Sequence, residues 1–492
     1  MSKTEQRSTG ETRTRPCSGS ARSAVAALVA ACLTAGLLQT VVIPLQSQLP
    51  ALLGAPRGLT AWVVTGAAAG AAGFAPISGR AGDLYGRKRA AVAVMVVFTF
   101  GSILAALTSD VGMMIAARIV QGIAIGVIPL SVSIMRDIVG PERLPGAIAL
   151  ASGMLGGGAA FGMPIGAAIA RWFDWHAVFW LCALLGAGCS ACLAAAVPKG
   201  PAPPAGRFDF LGAAGTLLGS AALLTAVAQG MEWGWSSGAV LGLIAAGIIA
   251  LLLANAWMLR TPQPLIDVRV ALRRPVLFTN SAALLINFAN MGSNVVYPQL
   301  MTEPRLTGLG VDPVIASLVM MTAALSQLLA TPLVAHIGRL ADPRATLVVA
   351  AGLGSTAIAA PALGPPNIWV IVAVNIVVGV CFAFVFSAFP QIIMASVPSP
   401  QIAAANGLNA QIRTFGTSAG AAIPGAILAV QSGSSGPTST AFTLGLLVCA
   451  SAGLAGAGIG LLVPRSRRKA QPPALGAALP EDLSGCLTSS SE

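Results

Sequence analysis

Apolar residues arrive in long runs along this chain, separated by short stretches of charge, glycine and proline. Fourteen such runs can be drawn, at about 22–46, 59–78, 90–109, 111–135, 145–170, 177–197, 209–229, 238–259, 276–300, 313–335, 345–363, 367–391, 402–430 and 441–463. Each is close to or beyond the roughly 20 residues that cross a hydrocarbon core. The runs are apolar on every face, so periodicity does not choose between helix and strand. The bilayer does: a segment in lipid must satisfy its own backbone groups, and a helix does this alone. The pattern predicts an all-α polytopic membrane protein.

Composition strengthens that prediction. Hydrophobic residues make up 55% of the 492 positions and charged residues only 9%, against about 25% charged in soluble domains. The net charge of +12 would fit nucleic acid only with a basic run interleaved with aromatics, and there is none. Of the 28 lysines and arginines, all but five fall in the tails and in alternate loops. Arg57, Arg171 and Arg305 lie in the other loops, and Arg118 and Arg413 lie inside runs. Positive charge marks the cytoplasmic side, so both termini are expected inside a cell membrane, with an even number of spans. Most tryptophans (Trp62, Trp172, Trp175, Trp180, Trp233, Trp235 and Trp369) fall near the opposite interface. The basic start of the chain runs straight into an apolar segment long enough to span, which is expected to be retained as the first helix.

Other chemistries find little support. The eight cysteines are scattered, and the Cys189–Cys192 pair sits within an apolar run as two small residues. The two histidines are far apart, so no metal site is expected. No Gly-rich nucleotide loop ending in Lys-Ser/Thr is present, and neither a cofactor nor an enzyme activity is expected.

The chain also repeats itself. Gly79-Arg80-Ala81-Gly82-Asp83 after the second run returns as Gly338-Arg339-Leu340-Ala341-Asp342 after the tenth, 259 residues later, and Pro141 and Pro400 share that offset. Two related six-helix halves, 22–197 and 276–464, are expected. A linker and two extra helices (198–275) lie between them, with tails at 1–21 and 465–492. Repeats around a central site are how many secondary transporters are built.

Three motifs carry a family resemblance. The first is Gly79-x-x-x-Asp83-x-x-Gly86-Arg87-Lys88-Arg89, the second Arg118-x-x-Gln121-Gly122, and the third Gly158-x-x-x-Gly162-x-Pro164-x-Gly166. With fourteen runs, these resemble the major facilitator superfamily, in its fourteen-helix drug:proton antiporter branch, over about residues 22–464. The strings Ile134–Asp137, Asp174–Trp180 and Asn406–Arg413 are similar to an actinobacterial group of such exporters. The resemblance implies the major facilitator fold, a small-molecule substrate, protons as coupling ion and, as expected here, a monomer in the lipid bilayer. It implies export of hydrophobic or amphiphilic compounds by alternating access. A transporter dedicated to one metabolite is the alternative. A membrane sensor would need an effector domain that is not seen.

The resemblance also assigns roles. Asp83 would approach the start of the thirteenth span and Arg87 would pair with Asp137, latching the halves; a plain basic loop that sets topology is the competing account. The arginine matching Arg118 takes part in proton coupling in the family. By its own chemistry, Arg118 needs a watered cavity or a polar partner, for which Gln39 is a candidate, or it snorkels to the interface. The family's first-span string Leu-Asp-x-Thr is here Leu38-Gln39-Thr40, and glutamine does not titrate. Asp137, Glu303 and His336 are the other titratable candidates. The span-five glycines allow close packing, and Pro164 stands one place later than in the family. Asn280, Asn287 and Asn294 recur at two-turn spacing with Asn290 near the same face, lining either the substrate path or a helix–helix interface. Arg413 would meet a carbonyl or an anionic substrate.

Overall fold

Each long apolar run folds as a helical rod, because rotation about the helix axis exposes only side chains to the surroundings and keeps the backbone paired. The computed structural model describes residues 18–45, 48–140, 143–200, 206–303, 308–365, 367–398, 401–430, 432–433 and 436–464. Both tails, Pro141, Pro400, Arg305 and the linker prolines Pro201, Pro203 and Pro204 lie outside the described residues.

The first group of rods is α1 (Ser18–Thr40), α2 (Arg57–Tyr85), α3 (Arg87–Leu107), α4 (Val111–Ile138), α5 (Leu144–Trp172) and α6 (Ala177–Ala196). Next come α7 (Phe210–Trp233) and α8 (Gly238–Arg260). The last group is α9 (Arg274–Thr302), α10 (Pro313–Leu329 continued by Thr331–Leu340), α11 (Pro343–Ala359), α12 (Ile368–Ser396), α13 (Ile402–Val430) and α14 (Ser439–Gly460). α4 tightens into a 3-10 turn at Gly122–Gly126. Polar side chains start several rods: Asp110, Asp209, Ser237, Asn367 and Thr438 each accept a first-turn backbone N–H, satisfying donors that a helix leaves open. Apart from the two-residue strands Ser432–Gly433 and Gly436–Pro437, the regular structure among the described residues is helical.

Among the described residues, eleven helices are long and apolar enough to cross a membrane. The rods outside that group are α2, α9 and α13, each 29 residues long. They differ in polarity rather than length: α2 carries Arg80 and Asp83, α9 the asparagines, and α13 Arg413.

The buried apolar side chains gather into two large cores. One is built almost wholly from residues 24–197, the other from residues 282–463. Packing partners in the first group recur in the last: α1 lies on α5 as α9 lies on α13, and α3 on α6 as α11 on α14. α7 and α8 pack on each other, and α7 also meets α2 and α13. Asp209 fastens this pair. Besides capping α7, it accepts from Trp257 Nε1 at 3.1 Å and from the Leu265 backbone N–H at 3.2 Å.

One expectation is corrected. The stretch Gly79–Asp83 is not a loop but the last turns of α2, and the chain reverses only at Gly86, whose φ of 98° favours glycine. Apolarity ends near residue 78, but the helix continues because its backbone bonds do not depend on lipid. The second copy also stays helical to Leu340, and there Asp342 caps α11 by accepting from the Arg344 N–H.

Candidate substrate path and latch

Arg118 is 1% exposed, seven residues into α4. An unpaired guanidinium at such a depth costs about 3 kcal/mol or more. Here Nε donates to the Val63 carbonyl at 2.8 Å and Nη1 to Gln121 Oε1 at 2.6 Å. Gln121 Nε2 donates to Ser102 Oγ at 2.8 Å, and Ser102 donates to the Phe98 carbonyl. The relay ties α2, α3 and α4 together inside the first core. The polar partner is Gln121, one turn on along the same helix, and not Gln39, whose side chain is exposed at the far end of α1. Thr40, beside it, donates to the Ala159 carbonyl at 2.6 Å.

The latch residues form a second constellation. Arg87 Nη1 lies 2.5 Å from Asp137 Oδ2, and Nη2 lies 3.6 Å from Asp83 Oδ1. Asp83 is buried, and its Oδ2 accepts the Ala404 backbone N–H at 3.1 Å. A carboxylate at the first turn of α13 meets both open N–H donors and the positive end of the helix dipole. Gly79 lets α2 come this close, since a Cβ there would overlap the Ala403 carbonyl; Gly407 does the same against Ala75 and Pro76. Polar residues that the sequence did not single out hold a second crossing: Gln327 on α10 donates to the Ser152 carbonyl on α5, and Ser152 Oγ donates to the Phe386 carbonyl on α12, both at 3.4 Å. A polar residue inside an apolar run was their only signal. The Asp83 bridge lies at the Arg-rich end of α2, and the Ser152 bridges lie further along the rods.

The span-five glycines press on α1. A Cβ at Gly158, Gly162 or Gly166 would strike Leu33, Thr40 or Val41, respectively. Pro164 is exposed within α5, which stays continuous. The asparagines divide. Asn280 is buried and accepts from Asn409 Nδ2 of α13 at 2.9 Å, a bond between helices. Asn287 is buried on its own Ala283 carbonyl, Asn290 is half-buried, and Asn294 is exposed and bonds to the Asn290 carbonyl. His336 is exposed, and Glu303 is half-buried at the end of α9.

Arg413 differs from Arg118. It lies eleven residues into α13, about 16 Å along the axis. Its Nε is buried with no hydrogen-bond partner, and its guanidinium carbon lies 5.0 Å from the centre of the Phe386 ring. Phe386 stands edge-on to Phe382 at 5.4 Å. Outside the spans, the backbone N–H and the ring of His176 hold the Asp174 carboxyl below its ordinary range.

Comparison with known proteins follows the same lines. The family profile described as Major Facilitator Superfamily matches residues 27–286 and 279–487. The chain is similar to the "Multidrug resistance protein B homolog" of Mycobacterium tuberculosis, 29% identical over 65% of this chain and 60% of that protein. It is also 29% identical to the "Probable actinorhodin transporter" of Streptomyces coelicolor, over 54% of this chain and 47% of that one. The matches thus span less than two-thirds of these relatives' length. Among solved structures, the proton:xylose symporter XylE superposes with a TM-score of 0.63 at 14% identity, covering 91% of this chain and 97% of that one; that likeness concerns the fold.

Proposed function

The chain belongs to the Major Facilitator Superfamily, and from that premise we propose that it is a secondary exporter of hydrophobic or amphiphilic compounds, antibiotics among them. The observation that carries the reading is the bond from Ala404 N–H to Asp83, joining two separately cored halves at one face. Polar bonds, glycine contacts and an apolar cluster of Ala149 with Ala330, Val334 and Ala383 join the halves, and parting these at one face while closing at the other is alternating access. In this reading the Arg-rich face is cytoplasmic, all fourteen rods cross the membrane, and the conformation is the one closed to the cytoplasm. Asp83, Arg87 and Asp137 act as the latch, with Gly79 and Gly86 shaping it.

Relatives named for multidrug resistance support the substrate class. The relative named as a probable actinorhodin transporter favours a second reading, in which one dedicated metabolite is exported. Protons are the proposed coupling ion, and Gln39 requires that a group other than a first-span carboxylate titrate. The exporter is proposed to act as a monomer.

The test is accumulation of a panel of antibiotics and dyes in cells with and without the protein, before and after collapse of the proton gradient. Lower accumulation that returns on collapse is expected. Unchanged accumulation of every compound refutes the multidrug reading, and dependence on sodium refutes the proton. Asp83→Asn should slow turnover more than it weakens binding; equal loss of both counts against the latch.

A further inference from the structure

Arg413 brings a positive charge part-way into the protein, and no described residue supplies it with an ion pair. None of the ion pairs among the described residues includes it. Neither α12 nor α13, the two helices that meet at this side chain, contains an aspartate or glutamate. Its Nε–H is shut away from water without an acceptor. The guanidinium carbon lies over the Phe386 ring, 5.0 Å from its centre, a cation–π contact.

The position along α13 defines what lies around it. At Ala403, Ala404 and Gly407 the helix is in contact with α2 of the other half, which closes the Arg-rich face. Arg413 is six residues further, about 9 Å, and beyond it Gly416 and Gly420 press on α9 of the same half, at Leu284 and Phe288. Phe386 also marks the seam, since its carbonyl accepts from Ser152 of α5. The guanidinium thus stands just above the closed floor, at the junction of the halves.

We propose that Arg413 and Phe386 form an anion subsite at the base of the substrate path, selecting aromatic compounds that carry a carboxylate or other acidic group; the inference rests on the exporter reading above. The planar fork of arginine accepts a carboxylate through paired N–H donors. Half-buried Phe386 presents aromatic surface for the ring system of such a compound, with Phe382 edge-on behind it in the core. The described residues around this point offer no carboxylate that would hold a cationic drug instead.

The test compares two dyes on one xanthene core, fluorescein as the anion and rhodamine 123 as the cation, for binding to the purified full chain by fluorescence anisotropy. Wild-type protein is expected to bind fluorescein at least tenfold more tightly. In Arg413→Gln the ratio of the two affinities should fall at least tenfold, and Arg413→Lys, which keeps charge but loses the fork, should fall between. Preference for rhodamine 123 by the wild type, or an unchanged ratio in Arg413→Gln, overturns the proposal. On wild-type protein alone, 1-naphthoate should displace fluorescein and the neutral 1-naphthamide should not; equal displacement overturns it without any variant. Transport in vesicles separates the two readings. Movement of rhodamine 123 but not fluorescein leaves the exporter standing and removes the subsite, whereas selective binding of fluorescein with transport of neither dye keeps the subsite and counts against export.

Discussion

Two arginines lie well inside long helices, and the protein treats them in opposite ways. Arg118 is enclosed by the first core and satisfied by the Val63 carbonyl and Gln121. Arg413 is half-buried at the junction of the halves, over the Phe386 ring with its Nε unpartnered. Both stand more than a turn from the ends of their helices, so position along a helix alone does not define a role. What separates them is whether the protein or something else completes the charge. A completed cation braces its half; an incomplete one is available to a ligand.

The contrast predicts a graded set of outcomes. Arg118→Met removes the donor to two buried acceptors, and each orphaned group costs about 1–3 kcal/mol. A total loss of roughly 2–6 kcal/mol is expected, seen as a lower thermal midpoint in detergent together with lost transport. Lost transport at an unchanged midpoint would instead assign Arg118 to coupling and dissolve the distinction. Ser102→Ala deletes the acceptor of the Gln121 amide at the end of the same relay. A loss of about 1 kcal/mol is expected, and a cost as large as that of Arg118→Met would mean that the relay, not the cation, is the brace. Arg413→Gln orphans nothing that the chain itself supplies, so its midpoint should stay within about 0.5 kcal/mol of wild type or rise. A large loss there would show that the protein, after all, completes this charge.

Much of the fold was legible because a bilayer leaves the chain few choices: run length gives the rods, and loop charge gives the proposed orientation. Legibility failed where water takes over. Hydropathy placed the end of the second span near residue 78, whereas α2 runs on to Tyr85, since a helix needs no lipid once its bonds have formed. The site was legible in residue type but not in pairing. Asp83, Arg87 and Asp137 could be named from a motif, and the structure brings them together. The partner of Arg118 was sought on another helix when Gln121 lay three residues away on the same helix face. That Arg413 Nε finds no acceptor among the described residues depends on how α12 and α13 pack, and no sequence pattern encodes it. Ser152 and Gln327 had no motif at all; only the packing of α5 against α10 gives them meaning.

The central claim is that closure of the Arg-rich face is one of two states. Spin labels at Arg89, beside the start of α3, and at Arg273, just before α9, report the separation of the halves there, in a chain whose native cysteines are replaced. Both residues are exposed. The distance distribution should contain a short population for the closed face and a longer one for the open face. Gly79→Val, which sets side-chain atoms against the Ala403 carbonyl, should shift weight to the longer distance. A single distance, the same in wild type and Gly79→Val, would contradict the account.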